Sequence, residues 1–367
     1  MKLRVNRHEL GEALAAVSGV TASRTPKPIL QCVLMEAQGD CCVLKATDLE
    51  ISVRFTVTQV EVEEKGDILV SAEKLSQIVR ESGDEILSLE TGEGLCHVRG
   101  QDSHFQIYQQ DAREFPPVAS ADGPADFELE TGELRRLVGW TAFAAARETS
   151  RYAINGVLWE LQKGHLSLTA TDGRRLSHAE GKPKTATERS IRAIIPIKAL
   201  NLFMRIVGEA EGDVGIRVTE NENQVVLRSS RATVISALVE GQFPNYRDVI
   251  PTDSDKKADL NTAEFLSAIR RAALLTNDES RSVKLSFQGD ELILTGRAPE
   301  EGEAVVRMLA AFQGEPVDIG FNPVFLVDAL KVVESDRVTL DLKASNRPGI
   351  LRCGPDMLYV VMPLNLS

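Results

Sequence analysis

The chain has 367 residues, of which 43% are apolar and 26% charged, with a formal net charge of −12 and five cysteines. These values fit two or three globular domains with real cores. They exclude a disordered chain, a disulfide framework of paired cysteines, and binding to nucleic acid through overall charge. No apolar run approaches the ~18 residues that a membrane helix needs. The opening MKLRVNRHEL carries Arg4, Arg7 and Glu9 where a secretory leader needs an apolar core. A cytoplasmic protein with no membrane partner is the expectation.

In chain order, Leu10, Leu14 and Val17 recur at helical spacing and predict a helix over 7–16. Leu75, Ile78 and Val79 predict a second over 73–80. The polar break Gly83-Asp84 follows, then Leu87 and Leu89 alternate as in a half-buried strand. Leu134, Leu137 and Val138 predict a helix over 132–151 with Thr131 as its N-cap. Leu200, Phe203, Met204 and Val207 predict one over 197–206, followed by Gly212-Asp213 and the alternating Val214, Ile216 and Val218. Phe265, Ile269 and Ala272 predict one over 263–281 with Thr262 as N-cap. Leu326, Leu330 and Val333 predict the last over 323–332, followed by Ser335-Asp336, Val338, Leu340 and Leu342.

These elements repeat. Leu75, Leu200 and Leu326 are 125 and 126 residues apart, and Ala46-Thr47-Asp48 precedes Ala170-Thr171-Asp172 by 124. Several element types recurring in one order at one offset mark internal duplication. Polar stretches without periodicity near 119–126 and 252–259 read as linkers. Three modules result, 1–121, 122–252 and 253–367, each with two helices and about eight strands. The fold class is α+β, with helices packed on antiparallel sheets.

No P-loop, dinucleotide fingerprint, HExxH or GxSxG is present. Asp172-Gly173-Arg174-Arg175 reads either as an acid beside an arginine pair for phosphate chemistry or as a D-G turn, and turn chemistry favours the second. Cys96-His97 resembles a metal fragment, but adjacent strand residues point to opposite faces, so neither a metal nor a cofactor is expected. Charge is unevenly placed. The six predicted helices sum to +4 and leave −16 for the rest of the chain. A face built from those helices would attract a polyanion without reading sequence, through Arg24, Arg80, Arg135, Arg147, Arg151, Lys198, Arg205 and Arg270.

The threefold module, Arg151-Tyr152-Ala153-Ile154-Asn155-Gly156, Ala170-Thr171-Asp172-Gly173-Arg174-Arg175-Leu176, Phe243-Pro244-Asn245-Tyr246-Arg247 and Tyr359-Val360-Val361-Met362-Pro363-Leu364 together resemble the bacterial β sliding clamps, the DNA polymerase III beta subunits. The resemblance covers the whole chain. It implies the DNA-clamp fold and a non-catalytic processivity subunit. Two chains would close head to tail as a homodimeric ring around duplex DNA. The ring would tether the replicative polymerase alpha subunit and other polymerases and repair proteins, and a clamp loader would open it.

By resemblance, Arg24, Arg80, Tyr152 and Lys198 approach DNA, and the charge reading adds Arg151 and Arg205. Ile154, Thr171, Gly173, Arg175, Leu176, Pro244, Val249, Val360, Met362, Pro363 and Leu364 line a pocket for partner peptides. Lys74, Phe105 and Ile107 form one ring edge, and Leu274, Leu275, Glu300, Glu301 and Glu303 form the other. Read on its own, Leu274-Leu275 fits a core. Ala153, Asp248 and the end Asn365-Leu366-Ser367 depart from the family pattern. Two other readings stay open: a phosphoryl-transfer or hydrolytic enzyme built on Asp172 and Arg175, and a non-replicative clamp paralogue that recruits partners.

Overall fold

The computed structural model describes all residues except 22–24, 119–122, 148–151, 186–188, 209–211, 220–222, 277–281, 300 and 366–367. Six α-helices lie among the described residues: α1 Arg7–Ser18, α2 Ala72–Glu81, α3 Thr131–Thr141, α4 Ile197–Val207, α5 Thr262–Ala272 and α6 Pro323–Lys331. The predicted stripes are mostly their buried faces, although Ile78 and Met204 are half-buried and Val333 lies past the end of α6. Leu10, Leu14 and Val17, then Leu134 and Leu137, then Phe265, Ile269 and Ala272 are at most 1% exposed.

Two helices stop well short of their predicted ends. After Thr141 the chain tightens into a 3₁₀ turn over Ala142–Ala144. There the Phe143 carbonyl accepts from Arg175 and the Ala146 N–H donates to Ile154. The alanine-rich run has helical propensity, and these tertiary bonds override it. After Ala272 the same tightening occurs over Ala273–Leu275. Here the Ala272 carbonyl sits directly over Gly296, where a Cβ would collide with it. A strand glycine therefore lets the helix end seat against the sheet.

The threonine N-caps also need correction. The cap of α5 is Asn261, whose side chain accepts from the Glu264 N–H at 3.0 Å. Thr262 instead donates its hydroxyl to the Ser335 carbonyl at 2.6 Å, and Thr131 donates likewise to Gly212 at 2.9 Å. Both threonines thus tie a helix start to the polar break that recurs in each module.

The chain forms two compact units: one of 1–132, 184–187 and 198–238, the other of 133–183, 188–197 and 239–367. The first contains an eight-stranded sheet in which Ala232–Ala237 pairs with Ile51–Val57. It also contains a five-stranded sheet running Val60–Glu64, Lys2–Asn6, Ile86–Gly92, Leu95–Arg99, His104–Tyr108. The second contains a nine-stranded sheet in which Arg175–Gly181 pairs with Met357–Val361. Its four-stranded sheet runs Gly302–Leu309, Glu291–Ala298, Val283–Gln288, Val317–Phe321. All these pairings are antiparallel, so the large sheets join strands from different sequence repeats. All five cysteines are free thiols and four are buried.

The repeat is exact down to one turn. In the first unit Thr47 accepts from the Leu49 N–H and donates to the Ile51 carbonyl, while Asp48 accepts from the Glu50 and Ile51 N–H groups. In the second, Thr171 accepts from Gly173 and donates to Arg175, while Asp172 accepts from Arg174 and Arg175. The third residue is left-handed in both, with φ of 80° at Leu49 and 86° at Gly173. Glycine suits that conformation. Leucine is strained there and stands 56% exposed.

Candidate functional site

In the second unit three of the predicted pocket residues lie in one buried apolar cluster. Ile154, Leu176 and Val360 share a cluster with Phe243 and Tyr246. The strand Met357–Val361 ends against the Asp172 turn, where the Met362 N–H donates to the Arg174 carbonyl at 2.9 Å. Two residues on, the Leu364 N–H donates to Gly320 at 2.8 Å. These bonds fix the C-terminal segment while leaving Met362 44%, Leu364 36% and Val249 51% exposed. Gly173 and Pro363 lie on the same two segments, and Thr171 is buried beneath the turn.

Arg175 faces inward. It is 9% exposed, and its guanidinium donates to Asp172 at 3.1 Å, Asp328 at 2.8 Å and the Phe143 carbonyl at 2.8 Å, 4.6 Å over the Phe325 ring. Every edge of the fork is engaged, so the side chain is a rigid wall and not a free cation. Asp172 is equally committed, with one oxygen on two backbone N–H groups and the other on Arg175. The geometry is that of a turn and leaves no acid free for proton transfer.

A second network holds the segment that carries Pro244 and Val249. Tyr246 is buried, and its hydroxyl donates to Glu160 at 2.9 Å. Arg247 donates to the same carboxylate at 3.2 Å. The His178 ring stacks 5.5 Å from Tyr246 and bonds Thr169 at 2.8 Å. Burial pushes the His178 imidazole below its ordinary pKa, which favours the neutral ring in this stack. Sequence reading missed Glu160, His178, Phe325 and Asp328 as supports of the pocket. They come from other strands and from α6, and nothing local to them signals the contact. Asp248 is exposed, held by Asn245 at 2.6 Å.

Among the predicted DNA contacts, Arg24 and Arg151 lie outside the described residues. Arg80, Tyr152, Lys198 and Arg205 are exposed. Arg205 lies against Gly19 at the C-terminus of α1, where a cation complements the helix dipole. Lys198 is not free, since its ammonium is paired with Asp48 of the repeated turn. On the observed spans the helices still sum to +3 in a chain of −12. Removing the Lys198 partner should unmask a phosphate contact. Asp48→Asn is expected to steepen the slope of log K against log salt on duplex DNA by about 0.9. Lys198→Ala alone should change it little. A slope unchanged in Asp48→Asn would rule out Lys198 as a masked contact.

Of the predicted ring-edge residues, Phe105, Ile107 and Glu303 lie on strands at sheet edges, whereas Lys74 lies on α2 and Leu274 and Leu275 on the 3₁₀ turn after α5. His104–Tyr108 has a neighbour on one side only, and His104, Phe105, Gln106 and Tyr108 are exposed. Ile107 is buried, and Lys74 is exposed on the first turn of α2. In the second unit Gly302–Leu309 is likewise paired on one side only. Leu274 is 75% exposed, with Leu275 half-buried and Glu301 and Glu303 exposed. Glu300 lies outside the described residues. Val305 and Leu309, exposed on the same edge strand, were not singled out from the sequence.

Three family models match in tandem: the DNA polymerase III beta subunit N-terminal domain over 1–119, the central domain over 128–245 and the C-terminal domain over 247–365. The chain belongs to the bacterial β sliding clamp family. The beta sliding clamp of Chlamydia pneumoniae is 33% identical over 367 residues, covering 100% of this chain and 99% of that one. The DNA polymerase III subunit beta from Pseudomonas aeruginosa superposes with a TM-score of 0.92 at 30% identity, and the sliding clamp from Bacillus subtilis with 0.95 at 28%, each covering 100% of both chains. As a member of this family the chain is a DNA sliding clamp, a non-catalytic processivity factor of DNA replication. Among the described residues no helix is long and apolar enough to cross a membrane.

Proposed function

We propose that two copies of this chain close head to tail into a ring around duplex DNA, and that the pocket of the second unit takes short peptides from the polymerase alpha subunit, the clamp loader and repair proteins. The modules of this reading are 1–121, 122–252 and 253–367, working in the cytoplasm. A heterologous contact that closes needs two different edges on one chain. The strands His104–Tyr108 and Gly302–Leu309 supply two exposed edges of different composition. Weak phosphate contacts let a ring slide, while topology keeps it on the DNA. Tethered partners gain local concentration at the primer end.

The observation that carries the peptide reading is the exposed apolar trio Val249, Met362 and Leu364 in the unit whose buried cluster holds Ile154, Leu176 and Val360. Exposed apolar side chains on a rigid apolar floor suit Leu and Phe anchors. Met362→Ala is expected to weaken a polymerase-derived peptide about tenfold, roughly 1.4 kcal/mol, with an unchanged unfolding midpoint. Equal affinity in isothermal titration would put the pocket elsewhere. For the ring, the loaded protein should stay on circular DNA and run off after linearisation. Equal loss from both would exclude encirclement.

A further inference from the structure

The strands Leu95–Arg99 and His104–Tyr108 form the outer hairpin of the five-stranded sheet, in register Val98↔Phe105 and His97↔Gln106. Alternation places His97 and His104 on one face, while Cys96, in the opposite phase, is buried with its thiol pushed up to about 12 by burial. The Nδ1 atom of His97 and the Nε2 atom of His104 are 3.0 Å apart, with ring centroids 5.2 Å apart. His104 is exposed and His97 half-buried, so both are within reach of solvent.

We propose that His97 and His104 form a two-imidazole chelating site for a borderline divalent transition ion such as Zn²⁺, which staples the edge strand to its neighbour. Two Zn–N bonds of about 2.0–2.1 Å at a tetrahedral angle hold their nitrogens about 3.3 Å apart. The observed separation is within a few tenths of an ångström of that, and each ring has to turn so that its lone pair faces the ion instead of the other ring. Between two neutral imidazoles a hydrogen bond uses one N–H and one lone pair, whereas an ion uses a lone pair from each. Imidazole is a preferred ligand of Zn, Cu and Ni.

The neighbouring charges cancel. Arg99, in register with His104, is bound to Glu90 at 2.6 Å, and Lys2, in register with Glu90, is bound to Glu63 at 2.7 Å. Among the described residues no group of three or more His, Cys, Asp or Glu converges on one point. The remaining coordination therefore falls to water, and the affinity to a two-ligand chelate. Edge pairing uses backbone groups in the plane of the sheet, whereas both rings stand on its face.

The test is titration of the full chain with Zn²⁺ alone, compared with His97→Asn, His104→Asn and, as control, the exposed His165→Asn. One ion per chain is expected, with at least a tenfold loss of affinity in each of the first two variants and none in the third. Hydrogen exchange of the amides over 104–108 should slow with Zn²⁺ in the parent chain only. Binding that survives either of the first two substitutions overturns the chelate. Full binding with unchanged exchange overturns the staple.

Discussion

Replacing Arg175 with alanine is expected to cost the second unit about 3 kcal/mol, near the lower end of what removing one partner of a buried ion pair costs. The charge is 9% exposed, and the substitution strands Asp328, Asp172 and the Phe143 carbonyl together. Those carboxylates are 29% and 20% exposed, so water recovers part of the loss and the upper end is not reached. For a cooperative unit of this size that is roughly 6–12 °C in the thermal midpoint. Arg175→Met should cost less, because its stem keeps the packing on Phe325. Combining Arg175→Met with Asp328→Leu should recover most of the remainder, since an apolar pair can replace a buried ion pair at little net cost. A loss below about 0.5 kcal/mol for Arg175→Ala, the range of ordinary surface changes, would mean the network is solvated in solution. Peptide affinity should fall with stability here, because the same guanidinium fixes the turn on which Met362 docks.

What made the fold legible was periodicity repeated at a constant offset. Leu75, Leu200 and Leu326 each head a helix whose inner face is buried, and the buried positions of an amphipathic helix follow directly from 3.6-residue spacing. Helix ends were less legible because long-range partners set them. Nothing within 132–151 announces that Arg175 will take the Phe143 carbonyl, or within 263–281 that Gly296 will receive Ala272. The Thr171–Arg175 turn was readable from its D-G pair, and its copy at Thr47–Ile51 from the matching Ala46-Thr47-Asp48 alone, because Leu49 is a residue that turn chemistry disfavours at positive φ. The proposed pocket lining rests on the family resemblance alone. In the sequence alone Val360 and Met362 are ordinary strand alternation, and the buttress of Glu160, Tyr246 and His178 joins residues up to 86 apart. Lys198 shows the opposite limit. A basic residue on a helix looks like a free cation until its carboxylate partner, 150 residues away, is placed.

Leu274→Glu is expected to abolish ring closure while leaving the chain folded. The side chain is 75% exposed in the single chain, and substitutions at such sites usually stay within about 0.5 kcal/mol. In a closed dimer the same position would be covered by the partner's edge, and an unpaired carboxylate in an apolar contact costs several kcal/mol. A two-chain ring has two equivalent contacts, so the penalty enters twice. At about 3 kcal/mol per contact the association constant falls by a factor on the order of 10⁴. Light scattering should then give the mass of one chain at micromolar concentration where the parent gives two, and retention on circular DNA should be lost. Val324→Glu, on a 58% exposed apolar position of α6, should leave the mass unchanged. If Leu274→Glu keeps the parent mass, the exposed leucine and the free edge strand beside Val305 and Leu309 serve something other than ring closure. If both variants fall to one chain, the loss reflects added negative charge on an already acidic protein and not the geometry of the edge.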